Sequence, residues 1–236
     1  MKKQPLIVVL VLVALIGAFI LVRQANKPKP VANPFSRESP AHLPFEDFVK
    51  TLTAIPNFER KLQAAARNTD PTTLGFEIAQ NGLKRLSDAQ LDRRMELIVK
   101  LVEYLDVATC ASLSRADPAL AKALAPKLLR ALENMTASDI RAFFDLTAQA
   151  VEAELNRTPF PAYVQSRSER ALRILVGKFS AEEQAVLKRV IGYPSMSSHE
   201  SGCWVVKTVF AEIMDLPVSE RHALSRMFVL SAEGAP

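Results

Sequence analysis

The chain has 236 residues, of which 49% are hydrophobic and 23% are charged, and its formal net charge at pH 7 is +5. A mean hydropathy of +0.08 excludes an intrinsically disordered chain, and a content of only 2 cysteines excludes a small disulfide-rich scaffold. The chain has only 7 glycines, and because tight β-hairpins depend on glycine, the composition favours an all-α protein.

The first feature in chain order is an apolar run that follows a short basic tail, residues 1–5. The run extends from Leu6 to Val22 and holds no charged residue. As a helix it would be about 25 Å long, close to the ~30 Å hydrocarbon core of a bilayer. It is longer than the apolar core of a typical signal peptide, and no small-residue cleavage site follows it. We therefore predict a single-pass membrane anchor over residues 6–22, with a removed signal peptide as the alternative.

Basic residues on the two sides of this run do not decide its orientation. Lys2 and Lys3 precede it, and Arg23, Lys27, Lys29 and Arg37 follow it, so the positive-inside rule gives close to a tie that leans towards a cytoplasmic body. A short basic tail before an apolar run is typical of an export signal. We therefore predict an inner-membrane protein with its C-terminal body in the periplasm, and a cytoplasmic body is the alternative.

Residues 23–44 are rich in proline and are predicted to link the anchor to the body. Five of the 15 prolines of the chain fall in this segment. Proline at this density prevents helix formation and favours an extended chain. In the alternative interpretation, Phe35 and Phe45 attach part of the segment to the body.

The body, residues 45–236, carries frequent signals for the start of a helix. Asp70-Pro71 and Asp117-Pro118 each place a carboxylate at the N-cap and a proline at the first helical position. Capping boxes are predicted at Ser87 with Gln90, Ser180 with Glu183 and Ser197 with Glu200, and a weaker one at Thr136 with Asp139. These signals predict one all-α domain of about eight to ten short, capped helices.

Apolar residues in the body recur at spacings of three and four, which is the period of an amphipathic helix. Three such stripes are Leu91, Met95, Ile98, Val102 and Leu105; Ile140, Phe144, Thr147 and Val151; and Cys203, Val206, Phe210 and Ile213. Pro126 lies inside a helical pattern over residues 120–132 and is predicted to kink or divide that helix.

The two cysteines, Cys110 and Cys203, could form a disulfide in an oxidising periplasm. Closing so long a loop would stabilise the chain by roughly 4–5 kcal/mol on the chain-entropy model. Two unrelated buried thiols are the alternative interpretation. Trp204, the only tryptophan, is expected to be a core aromatic beside them.

Motifs of known chemistry are weak or missing in the sequence. His199-Glu200 begins like a zinc-protease helix, but Cys203 stands where the second histidine would be, so a helix start explains these residues better. Neither a Gly-x-Ser-x-Gly elbow nor a phosphate-binding glycine loop occurs. We therefore predict no catalytic residues, no metal site and no cofactor.

One cluster of charge stands out on the mildly basic body: Arg157, Arg167, Arg170 and Arg173. It could bind anionic lipid, cell-wall polymer or an acidic partner, although a solvated helix face with Glu169 among the arginines is the simpler interpretation. The weak overall excess of basic residues does not indicate nucleic-acid binding.

The sequence thus favours a membrane-anchored, periplasmic interaction or scaffold module that binds an unidentified protein partner through a helical surface or groove. A bundle that binds a small molecule or lipid is the second hypothesis. It requires an apolar cavity of ~300 Å³ or more, for example one lined by Phe143, Phe144 and Phe210. An enzyme that uses His199 or His222 with a glutamate is the third.

Overall fold

The computed structural model describes residues 33–56, 58, 60, 71–115 and 118–230. This part of the chain contains ten α-helices, two 3-10 turns and no strand, so the predicted all-α fold is confirmed. The predicted anchor, Leu6 to Val22, lies outside the described residues, as does the linker up to residue 32.

The helices are short, and most are separated by turns of a few residues. They are α1 (His42–Ala54), α2 (Pro71–Leu83), α3 (Asp88–Glu103), α4 (Val107–Ser112), α5 (Pro118–Leu132), α6 (Ala137–Leu155), α7 (Gln165–Gly177), α8 (Ala181–Gly192), α9 (His199–Met214) and α10 (Val218–Leu230). The 3-10 turns are Leu113–Arg115, after α4, and Pro194–Met196, after α8.

Helix starts were predicted correctly where a single serine or threonine can accept a hydrogen bond from the backbone N–H three residues ahead. Ser87 and Ser180 form capping boxes at α3 and α8, and Thr136 caps α6. α2 and α5 begin at the predicted prolines, Pro71 and Pro118.

The predicted cap at Ser197 was wrong by one residue. Ser198 is the N-cap of α9 and accepts a hydrogen bond from the backbone N–H of Ser201. The Ser197 hydroxyl instead donates to the carbonyl of Tyr193, 3.1 Å away, in the preceding turn. The correction arises because either of two adjacent serines can supply the capping oxygen.

Pro126 does not divide its helix, contrary to one form of the prediction. It lies inside α5 on the exposed face. The opposite face buries Leu124, Leu128 and Leu132, one turn apart. Packing of this stripe outweighs the one backbone hydrogen bond that proline removes.

The described residues divide into two compact units. The phenylalanine unit comprises the described residues among 33–86 and 128–161, and the disulfide unit comprises those among 87–127 and 162–230. Helix α5 contributes residues to both units.

In the phenylalanine unit, α1 and α2 pack on α6 around a cluster of aromatic rings. Phe144 of α6 stacks on Phe48 with ring centroids 5.1 Å apart, and Phe45 meets Phe144 edge-on at 5.7 Å. Phe35 is buried and lies 5.7 Å from Phe45. The last part of the predicted linker therefore contacts the helices, and α1 begins at His42 within it.

In the disulfide unit, α9 packs against α3, α4 and α8, while α10 packs against α3 and α7. The predicted stripes on α3, α6 and α9 are all buried, as expected for faces that form cores. This arrangement leaves α7 and α8, which are consecutive in the chain, resting on different helices.

Candidate functional site

An apolar cleft of about 270 Å³ lies between α7 and α8 in the disulfide unit. α7 packs on α10 and α8 packs on α9. A short turn joins α7 to α8, so consecutive helices rest on different supporting helices. Val209 of α9 and Met227 and Phe228 of α10 form the floor of the cleft. The cleft therefore arises from the packing of four helices.

Each wall of the cleft is one face of a helix. The wall residues follow the spacing i, i+3, i+4 and i+7: Leu172, Leu175 and Val176 on α7 with Phe179 in the turn after it, and Gln184, Leu187, Lys188 and Ile191 on α8. Leu175 and Leu187 are buried, but Leu172 and Ile191 remain 40% and 37% exposed. The cleft is thus apolar at its base and still apolar at its rim.

Hydrogen bonds fix the end of the cleft next to the turn. The side-chain amide of Gln184 donates to the carbonyls of Val176 and Phe179, at 3.2 and 2.9 Å. Val176 belongs to the last turn of α7 and Phe179 to the turn that follows it, where carbonyls lack the usual i+4 helical donor. Gln184 therefore ties the first turn of α8 to the end of α7.

Contacts of charged residues also hold the turn between α7 and α8 in place. Lys178 lies 2.5 Å from Glu212 of α9. Ser180 caps α8, and its backbone N–H donates to the carboxylate of Glu183, which lowers the pKa of that carboxyl below its usual value. Both contacts fix the position at which α8 begins.

Among the residues that the structure describes, Lys188 is the only charged one that lines the cleft. It is exposed, and no ion pair joins it to a carboxylate within the described part of the chain. An apolar cleft with one cationic side chain suits a ligand that is mainly apolar and carries a negative group.

A second, more polar pocket of about 160 Å³ lies between the starts of α3, α7 and α10. Two of its basic groups contact carboxylates: Arg226 donates to Asp88 at 2.6 and 2.9 Å, and Nε2 of His222 lies 3.2 Å from Asp92. Asp92 is buried and also accepts from Arg221 at 2.7 Å. These pairs join α10 to α3 and serve the fold.

The four arginines of the predicted anionic-partner patch belong to both units. Arg157 belongs to the phenylalanine unit and has a positive φ of 52°. Arg167, Arg170 and Arg173 are exposed on α7, and Arg167 also lines the polar pocket. Arg170 is near Glu220, whose pKa is lowered mainly by the hydroxyl of Ser219 and to a smaller extent by Arg170.

The cysteines lie together: a disulfide joins Cys110 of α4 to Cys203 of α9, with their Cα atoms 4.9 Å apart. Trp204 is only partly buried, and its ring faces Phe179, with centroids 6.4 Å apart. It is therefore less buried than the core position we expected.

The expected lining of an apolar cavity was wrong. Phe143 and Phe144 are packed in the phenylalanine unit, and Phe210 is buried in α9 without lining the cleft. The missed signal was the stripe of Leu172, Leu175, Val176 and Phe179, whose four apolar residues have the helical period. The arginines of the same segment instead indicated a charged surface on the opposite face.

Among the described residues, no three His, Cys, Asp or Glu side chains are grouped so that they could hold a metal ion. His199 is exposed in the first turn of α9. His222 pairs with Asp92 and with no glutamate. The helices within the described ranges are all too short or too polar to cross a membrane.

Arg94 of α3 is buried, with Nε and Nη2 lacking hydrogen-bond partners in the described part of the protein. Burial lowers its pKa to about 9, since an apolar environment disfavours the charged form. Arg94 does not line the cleft.

Comparison with protein-family models, curated proteins and solved structures finds no match, so the chain is assigned to no family and the argument for function rests on its own residues.

Proposed function

We propose that the chain is a membrane-anchored interaction module that binds a partner protein through the cleft between α7 and α8. The observation that carries this proposal is the apolar rim of the cleft. Leu172 and Ile191 are 40% and 37% exposed, although the residues directly beneath them are buried. A contiguous apolar surface set in a groove is typical of a protein-binding site, because covering it removes apolar area from water.

The N-terminal sequence supports placing this module at a membrane. The run from Leu6 to Val22 has the length and composition of a spanning helix. Residues 23–32, which include Pro28 and Pro30, would then form a tether of about 30 Å if extended. A body tethered in this way meets its partners close to the membrane surface.

The disulfide supports an exported body. Bonds such as Cys110–Cys203 persist in oxidising compartments and are rare in a reducing cytoplasm. We therefore propose that the body faces the periplasm.

A small apolar molecule or lipid is a second candidate occupant, because the lining of the cleft is apolar and its volume comes close to that of a small ligand pocket. At about 270 Å³, the cleft is slightly smaller than the lower end of typical ligand pockets, ~300 Å³. The experiment below distinguishes this ligand from a protein.

The test is site-specific photo-crosslinking of the full chain in cells. A photo-reactive amino acid replaces Leu172 or Ile191, and the matched control replaces Leu43. Leu43 is 64% exposed, belongs to the phenylalanine unit and does not line the cleft. We expect a discrete protein adduct at both cleft positions and none at the control position.

The mass of the adduct identifies the class of occupant. A lipid-sized adduct at Leu172 and Ile191 would support the second candidate instead. Equal labelling at all three positions, or no adduct at the cleft, would contradict a binding role for the cleft.

A further inference from the structure

We propose that the occupant of the cleft is an amphipathic helix of the partner protein, with an acidic side chain that pairs with Lys188. This inference rests on the proposed function and names the chemistry of the partner at the same site. It follows from the geometry of the two walls, the openness of the rim and the charge of the lining.

The walls have the dimensions that a helix requires. On α8 the lining extends over eight residues, two helical turns, and so about 10 Å along the axis, and on the other wall it extends from Leu172 of α7 to Phe179 in the turn after that helix. Helices bind grooves of this kind through apolar side chains at i, i+3 or i+4, and i+7. Two or three such side chains would reach the floor at Val209 and Phe228.

The open rim favours a helix over an acyl chain. A molecule contained within about 270 Å³ would contact Leu172 and Ile191 only on the sides that line the cleft and would leave their outer sides in water. A helix is about 10 Å wide with its side chains, so it can contact the base and both rim residues together. It therefore covers all of the exposed apolar surface.

The charge of the lining specifies the partner further. Of the described residues that line the cleft, Lys188 is the only charged one and none is acidic. By contrast, Lys178 at the nearby turn is already paired with Glu212. A partner carboxylate beside Lys188 would complete an ion pair, whereas a basic partner residue would be repelled at the edge of an apolar surface.

The experiment selects helical peptides from a displayed random library against the full chain in lipid nanodiscs. We expect the selected peptides to share apolar residues at i, i+4 and i+7 and a nearby Asp or Glu. Leu172→Asp should abolish their binding, because it places a charge on the apolar rim.

Charge reversal then tests the contact with Lys188. Lys188→Glu should weaken binding of the acidic peptides by about tenfold or more, and a peptide with Lys in place of its acidic residue should recover the affinity. Arg189→Glu is the matched control: Arg189 is adjacent and exposed on α8 but does not line the cleft, so affinity should change little.

The inference is overturned if no helical peptide is selected, or if the selected peptides bind the Lys188→Glu and wild-type proteins equally. Crosslinking at Leu172 separates this failure from failure of the proposed function. If Leu172 crosslinks to a protein but no helical peptide is selected, the proposed function is supported and only the helical partner is contradicted. If neither result is obtained, both proposals are contradicted.

Discussion

Gly82 is the residue at which two helices of the phenylalanine unit approach most closely. A Cβ atom placed on it would lie 1.8 Å from the carbonyl oxygen of Ala150 in α6. We expect Gly82→Ala to force α2 and α6 apart and to lower the free energy of unfolding by about 1–3 kcal/mol, the usual cost of overpacking. Urea denaturation followed by circular dichroism measures this change.

Gly177→Ala is the matched control for this prediction. Gly177 also lies in a helix, but a Cβ atom there meets nothing within 4 Å. Alanine should leave stability unchanged or raise it by up to about 1 kcal/mol, because it restricts the unfolded chain. Equal stability of the two variants would show that α2 and α6 do not pack as described.

Interactions within a few residues were the ones that the sequence predicted best. Ser87, Ser180 and Thr136 cap helices through partners three residues ahead, so the motif contains the whole interaction. Ser197 failed as a predicted cap because its neighbour Ser198 can supply the same oxygen. The clash at Gly82 could not be predicted, since it involves a residue far away in the chain.

At the scale of elements, the disulfide joins α4, a helix of six residues, to the long helix α9. So short a helix is unstable alone and depends on tertiary contacts. We expect the double variant Cys110→Ala, Cys203→Ala to lose about 2–5 kcal/mol of stability, the usual cost of removing a native disulfide. Thermal unfolding of both proteins measures the loss.

A reductant provides the control for this variant. It should lower the midpoint of thermal unfolding of the wild-type protein and leave that of the double variant unchanged. A wild-type protein that is insensitive to reductant and matches the variant in stability would contradict a stabilising role for the bond.

The cleft shows why the candidate site was harder to predict than the helices. The apolar residues on α7 follow a helical period, so a buried face could be inferred from sequence. Whether that face packs completely or leaves a groove depends on α10 holding α7 and α9 holding α8. These contacts are distant in sequence, and no local pattern encodes them.

At the scale of the whole molecule, the chain has an apolar N-terminal run followed by a helical body with an apolar cleft. The run and the proline-rich segment are visible in composition alone, because membrane insertion and chain extension depend on local residue type. Composition does not determine the orientation of the proposed anchor, since the basic residues on its two sides nearly balance. The proposal therefore depends on export of the body.

The most direct measurement of this claim is a pair of C-terminal fusions, to alkaline phosphatase and to green fluorescent protein, combined with alkaline carbonate extraction of membranes. We predict that the phosphatase fusion is active and that the fluorescent-protein fusion does not fluoresce. We also predict that the full-length chain stays in the membrane pellet. A fluorescent fusion without phosphatase activity, or a released chain that begins after Val22, would contradict it.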